Sequence, residues 1–148
     1  MNVLFAAIPA LIFGGEYALK NHVEKNIDRE CKKILGGSIL VRKYHNRGAV
    51  LNLGEQKRKA VAMLSLLLTV LLTVVFIVTL TRHGNSWLKA GLSLLLGGAF
   101  SNTYDRLKRE YVVDYFSFNV TWEPLRNIVF NLSDFCILIG AMTAALHV

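Results

Sequence analysis

Asp114, between Val112-Val113 and Tyr115-Phe116, and Asp134, ahead of the apolar run that starts at Phe135, are carboxylates in stretches that solvate charge poorly. Two such groups brought together in a low-dielectric pocket cannot both stay ionised. One pKa rises and the pair shares a proton. The ionised carboxylate can then take a proton from water while the protonated one polarises a peptide carbonyl, which is the chemistry of an aspartic protease. It calls for no metal, no cofactor and no nucleophilic serine. The two cysteines, Cys31 and Cys136, are too few for a disulfide scaffold and lack metal-ligand spacing.

Other polar residues accompany the aspartates. Glu16 and Lys20 are i,i+4, as are Asn102 and Arg106, with Asp105 beside them. Asn127, Asn131 and Asp134 follow i,i+4,i+7, which on one helix makes a single polar stripe. Lipid cannot solvate such stripes, so in a bundle they face one another. Ionisable groups at membrane depth mark functional sites by default. Each also has a plainer reading. Lys20 and Arg106 can snorkel from span ends, Glu16 can neutralise Lys20, and Asn102 and Asn131 can serve as interhelical hydrogen bonds worth about 0.6 kcal/mol each.

The elements that carry these residues are membrane spans. The 148 residues are 53% hydrophobic and 18% charged, against about a quarter charged in an ordinary soluble domain. The charge collects in residues 20–59 and 105–126. Crossing about 30 Å of hydrocarbon takes about 20 apolar residues, and the sequence offers four spans, at about 3–20, 60–80, 87–106 and 127–146. The expected fold is an all-α membrane protein, residues 1–148 forming one four-span domain. Trp87 is expected to anchor span 3 at the interface. Residues 3–13 lack a basic segment before them, and Glu16 and Lys20 follow closely, so a retained first helix is expected rather than a cleaved signal.

The long loop, residues 21–59, is punctuated by Gly36-Gly37. Residues 22–34 suit a short amphipathic helix on the membrane surface, 38–44 a strand, and Asn52-Leu53-Gly54 a turn. The net charge of +7 suits anionic head groups, which attract each basic residue by roughly 1 kcal/mol. Nucleic acid is not an expected partner, because the basic residues flank apolar spans.

The stretch GGAFSNTYDRLKREYVVDYF, residues 97–116, resembles the third-span signature of signal peptidase II, the lipoprotein signal peptidase. VFNLSD, residues 129–134, resembles its fourth-span signature, and Asn46, Gly48 and Ala49 its Asn-x-Gly-Ala motif. Glu16 and Lys20 stand where that family has an Asp and a Lys four residues apart. The resemblance covers all four spans and the first loop. It implies a catalytic pair, Asp114 and Asp134, with Asn102, Arg106 and Asn131 supporting the site and Lys20, Asn46 and Gly48 nearby. It implies cleavage of a diacylglyceryl-modified prolipoprotein just before the lipid-modified cysteine, in the bacterial cytoplasmic membrane. Residues 38–55 would form a small sheet on the extracytoplasmic face that cradles the substrate, with part of residues 21–34 as a lid at the membrane surface.

The sequence departs from the family at Glu16, at Ser101 and Glu110 where glycines are usual, and at Val50-Leu51 where a phenylalanine is usual. Glu16 is expected to be structural, setting Lys20 and span 1. The basic residues also run against the family topology. Residues 21–59 hold ten Lys and Arg and residues 105–126 four, against only Arg82 and Lys89 around the middle loop and the start of span 3, so the positive-inside rule favours the opposite orientation. The family topology is preferred because the enzyme must meet a translocated substrate. The competing readings are an inactive relative that binds lipidated peptides, and a small ion-coupled transporter. The second would usually show more spans or an inverted repeat.

Overall fold

The long apolar runs fold as helices. The computed structural model describes residues 2–27, 31–49 and 53–148. Helix α1 is Asn2–Asn26, α2 Arg58–Thr81, α3 Ser86–Lys108, α4 the single turn Glu123–Arg126, and α5 Leu132–Ala145. At 1.5 Å per residue, α1 and α2 are each roughly 36–38 Å long, enough for the hydrocarbon. Among the described residues, two helices are long and apolar enough to cross a membrane by length and composition, Asn2–Asn26 and the continuous stretch Glu55–Thr81.

Helix α2 touches the rest of the molecule along one stripe. Its buried residues are Ala62, Thr69 and Phe76, seven apart, while Leu64, Leu67, Leu71, Val74, Val75 and Val78 are exposed. A helix with no charge beyond Arg58 and Lys59 in its first turn, and with such a wide apolar face bare, suits lipid and not water. Helix α3 is the opposite case. It lies among α1, α2 and α5, and Leu92, Leu96, Gly98, Ser101, Asn102 and Asp105 are all buried along it. Its polar residues are therefore solvated by protein.

Helices α3 and α5 approach closely at glycines. A Cβ on Gly98 would stand 2.5 Å from the carbonyl oxygen of Ser133, and one on Gly140 would run into the Leu95 backbone. This contact sets Asn102, one turn beyond Gly98, beside the start of α5. Gly98→Ala is expected to cost about 1–3 kcal/mol by overpacking, read as a lower thermal midpoint in detergent. An unchanged midpoint would mean that the helices can part without loss.

The extended segments form one antiparallel sheet in the order β1-β2-β3, with β1 Lys32–Ile34, β2 Ile39–Asn46 and β3 Val112–Phe118. Gly36 and Gly37 take positive φ, +65° and +91°, in the turn between β1 and β2, a conformation that costs glycine nothing. Opposite β3, Tyr44 pairs with Asp114 and Asn46 with Val112, and the register shifts between Val41 and Tyr44.

Several expectations change. No amphipathic helix spans 22–34 among the described residues. Residues 22–26 continue α1, because Val23 is buried against Val113 and Tyr115, and Lys32–Ile34 pairs with β2. The surface lid expected there is not formed by such a helix. Asn52 lies outside the described residues, although Leu53 and Gly54 do turn, Gly54 at φ +76°. The helix expected over 127–146 starts only at Leu132. Asn131 is extended (φ −124°, ψ 170°) and caps it with its side chain, as Asn does well. Asn127 ends α4 instead, so the stripe Asn127–Asn131–Asp134 does not exist as one helical face. Asp114 lies within β3, a strand that alternation did not reveal because Val112–Tyr115 are all buried. Glu110, where a glycine is usual, has φ +65°. For an L side chain that conformation costs roughly 1–2 kcal/mol, which is the physical reason a glycine suits the position.

Candidate active site

The site forms where β3, α3 and the start of α5 meet. Strand β3 is bridged to the chain just ahead of α5: Phe130 N donates to Phe116 O at 2.7 Å, and Tyr115 N and Phe116 N donate to Phe130 O at 2.9 and 3.1 Å. This brings Asp114 beside Asn131. Asn131 then joins the two aspartates. Its Nδ2 donates to Asp114 Oδ1 at 2.7 Å and its backbone N–H to Asp134 Oδ2 at 3.0 Å, while its Oδ1 accepts from Asp134 N at 3.0 Å. The last two contacts are a capping box. Asp134 is thus held by the same cap that starts α5.

Asn102 completes the frame. Its Nδ2 donates to Asp134 Oδ1 at 3.0 Å, and its Oδ1 accepts from Asn131 Nδ2 at 3.3 Å and from Lys20 Nζ at 3.0 Å. An ammonium donates only, so Lys20 decides which way the Asn102 amide points. Lys20 also reaches Ser101 Oγ at 2.9 Å and Asp105 Oδ2 at 2.9 Å. Its three protons are accounted for within a fully buried pocket. Arg109 Nε pairs with the other oxygen of Asp105 at 2.9 Å, and Val113 N donates to Asp105 Oδ2 at 3.3 Å. Asp105 therefore links α3 to the strand that carries Asp114. Asp105 belongs to this network although it stands in none of the expected site motifs. Its i,i+4 spacing to Arg109 was the available signal.

Asp114 and Asp134 both open onto a cavity of about 900 Å³. Asn46, Asn102 and Arg106 line its polar part; Leu68, Ile137, Leu138 and Ala141 line its apolar wall. Asn127 reaches it from the α4 turn. Burial drives the Asp114 carboxyl up to about 8, the charge of Asp134 adds to that rise, and hydrogen bonds from Asn131 and Asn46 oppose it. Asn46 also accepts from Gly48 N at 3.1 Å. Its neighbour His45 stacks on Tyr111, ring centroids 3.9 Å apart, and contacts Glu24 Oε1 at 2.7 Å, which ties β2 to the end of α1.

Arg106 faces the cavity and is not a free snorkelling end. Its Nε and Nη2 share the carbonyl of Gly48, at 3.4 and 3.3 Å, and Nη1 reaches Asn102 O at 3.3 Å. One planar fork thus pins the segment after β2 onto α3. An ammonium cannot reproduce that fork. Arg106→Lys is expected to lower turnover about tenfold, with little change in folding. A variant with wild-type turnover would leave Arg106 no role in the site.

Over residues 8–148 the chain matches the family model described as signal peptidase (SPase) II. The chain belongs to the signal peptidase II family. Among curated relatives, the lipoprotein signal peptidase of Clostridioides difficile is 28% identical over 147 residues, covering 99% of this chain and 95% of that protein. That of Caldicellulosiruptor bescii is 31% identical over 123 residues, 83% and 75% of the two chains. That of Enterococcus faecalis is 29% identical over 143 residues, 95% and 84%. A bacterial membrane enzyme solved by the in meso method at 2.3 Å superposes with a TM-score of 0.81 at 17% identity, covering 97% of this chain and 85% of that one. At that identity the likeness speaks to fold alone. As a member of this family the chain is a membrane protease, and the cavity with Asp114 and Asp134 is its candidate centre.

Proposed function

We propose that this protein is a membrane aspartyl endopeptidase that removes the signal peptide of bacterial prolipoproteins by cutting just before the lipid-modified cysteine. The observation that carries the aspartyl reading is that Asn131 hydrogen-bonds both Asp114 and Asp134 at the edge of one cavity. Both oxygens of Asp134 accept N–H bonds, from Asn131 and Asn102, which suits an ionised carboxylate. Asp114 is the better place for the shared proton, since its carboxyl is raised to about 8. In this reading Asp134 takes a proton from water as the water oxygen attacks the scissile carbonyl carbon. Asp114 donates its proton toward the carbonyl oxygen. When the tetrahedral intermediate collapses, the C–N bond breaks, the proton on Asp134 passes to the leaving nitrogen, and one hydroxyl of the intermediate returns its proton to Asp114 as the C=O bond re-forms.

The apolar wall of the cavity suits the diacylglyceryl chains, and sheet β1-β2-β3 would cradle the peptide. Helices α1, α2, α3 and α5 would be the four spans in the cytoplasmic membrane, with the sheet and the aspartates near the extracytoplasmic face. Helix α5 is short for a full crossing, at 14 residues. Its start at Leu132 is consistent with an active site near one interface and not at mid-bilayer. The basic residues Lys32, Lys33 and Arg47, all exposed, would then lie against anionic lipid of the outer leaflet.

The test is incubation of the purified protein with a diacylglyceryl-modified model prolipoprotein, with the unmodified precursor as control. The expected product is the lipoprotein with the modified cysteine at its new N-terminus, and only from the lipidated substrate. No cleavage would return the protein to the reading of an inactive binder. Equal cleavage of both precursors would remove the lipid from recognition.

A further inference from the structure

Glu16 is a fully buried carboxylate that the chemistry of the aspartate pair does not use. Its expected partner, Lys20, accounts for little of its placement. Lys20 Nζ stands 3.7 Å from Glu16 Oε2 but 2.9 Å from Asp105 Oδ2, so Lys20 would not be stranded without Glu16. Glu16 instead accepts three hydrogen bonds from the two elements that carry the aspartates. Tyr115 Oη donates to Oε1 at 2.6 Å, and Ser133 Oγ and Ser133 N donate to Oε2 at 2.7 and 3.1 Å. Tyr115 directly follows Asp114 on β3, and Ser133 directly precedes Asp134 in α5. Tyr115 Oη also accepts from Leu132 N at 2.9 Å. The first three N–H groups of α5 therefore end on Tyr115, Glu16 and Asn131. A negative charge is favoured at that end of the helix.

We propose that Glu16 is a positioning residue for the aspartate pair: by holding Tyr115 and Ser133 together, one side chain of α1 sets how Asp114 and Asp134 stand relative to each other. The proposal rests on reading those aspartates as the catalytic pair. Successive side chains on a strand point to opposite faces, so the hold on Tyr115 behind β3 turns Asp114 toward the cavity. Successive helical residues are about 100° apart, so Ser133 held toward α1 leaves Asp134 facing Asn102 on α3. An amide at position 16 offers one acceptor atom to three donors and sets an N–H against the rest. Aspartate is one methylene shorter, and from α1 it reaches one side of the clamp less well.

The experiment compares wild type with E16Q, E16D, Y115F, S133A and the double variant E16Q/Y115F on a lipidated model prolipoprotein, with thermal unfolding measured on the same samples. The expected result is a kcat loss of roughly 10- to 100-fold for E16Q and about tenfold for Y115F and S133A, with KM within about twofold, because misplacing reacting groups by about 1 Å costs about that much. E16D is expected between wild type and E16Q. E16Q/Y115F is expected to be no worse than E16Q alone, since both break one unit. If E16Q does not fold, Y115F and S133A, which each remove only a hydroxyl, still decide the matter. Wild-type kcat in Y115F and S133A overturns the clamp, whatever happens to the melting temperature. So does an E16Q that is as dead as Asp114→Asn while Y115F and S133A are unimpaired, for Glu16 would then be a third catalytic carboxylate. An inactive wild type, or an active Asp114→Asn, instead strikes the aspartyl reading itself and takes the clamp with it.

Discussion

Asp114→Asn and Asp134→Asn are each expected to lower turnover of a lipidated prolipoprotein by about 10⁴-fold or more, and the double variant is expected to be no worse than either single one. The amide keeps the shape and volume of the carboxyl but cannot cycle a proton, and residues that act as one unit show such non-additivity. The fold should persist in both. At Asp114 the amide can still accept from Asn131 Nδ2, which donates to Oδ1 at 2.7 Å. At Asp134 the amide must turn its oxygen to one donor and lose the other, since Asn131 N and Asn102 Nδ2 both donate to the carboxylate. Asp114 likewise accepts from Asn46 as well as Asn131, so each variant is expected to lose about 1–2 kcal/mol of stability, the cost of one unmet hydrogen bond. Comparable turnover in wild type and either variant would end the aspartyl assignment. A double variant far weaker than the singles would mean that the two residues act independently.

Activity is expected to fall as the pH rises through about 8. The ordinary carboxyl of an aspartate loses its proton near 3.8, whereas that of Asp114 is raised to about 8, first by burial and next by the charge of Asp134. A raised value means that the protonated form survives through neutrality and is lost on the alkaline side. The pair needs one proton, so kcat/KM should be maintained up to that region and then decline about tenfold per pH unit. The value belongs to the coupled pair more than to one residue. Infrared difference spectra of the protonated carboxyl should show it disappearing over the same range. A profile flat to about pH 10, with the protein still folded, would mean that no shared carboxyl proton limits the reaction.

The chain-local features were legible before the fold was. Runs of apolar residues specify helices whatever they pack against, so α2 and α3 fall within two residues of the spans expected for them. Asp114 and Asp134 could be picked out because charge in apolar surroundings is costly and is kept for a reason. The pairing of Gly36-Gly37 with a following strand was also local, since positive φ belongs to the residue itself. The end of α1, the start of α5 and strand β3 were not legible. Residues 22–26 stay helical because Val23 packs beneath Val113 and Tyr115, and residues 127–131 leave the helix because Phe130 pairs with Phe116.

The partners inside the site divide along the same line. The i,i+4 spacing of Glu16 and Lys20 is a property of one helix, and it does bring them to 3.7 Å. Only the packing of α1 against α3 gives Lys20 its closer partner, Asp105, and only the meeting of α1, β3 and α5 places Tyr115 and Ser133 around Glu16. Sequence alone therefore determined that this is a helical membrane protein of the signal peptidase II pattern with two aspartates set in apolar stretches, because hydrophobicity and residue chemistry are carried by each residue in turn. The tertiary structure decided which donors each carboxylate meets, because those contacts join residues as far apart as Glu16 and Ser133, whose distance in the chain carries no information about their distance in space.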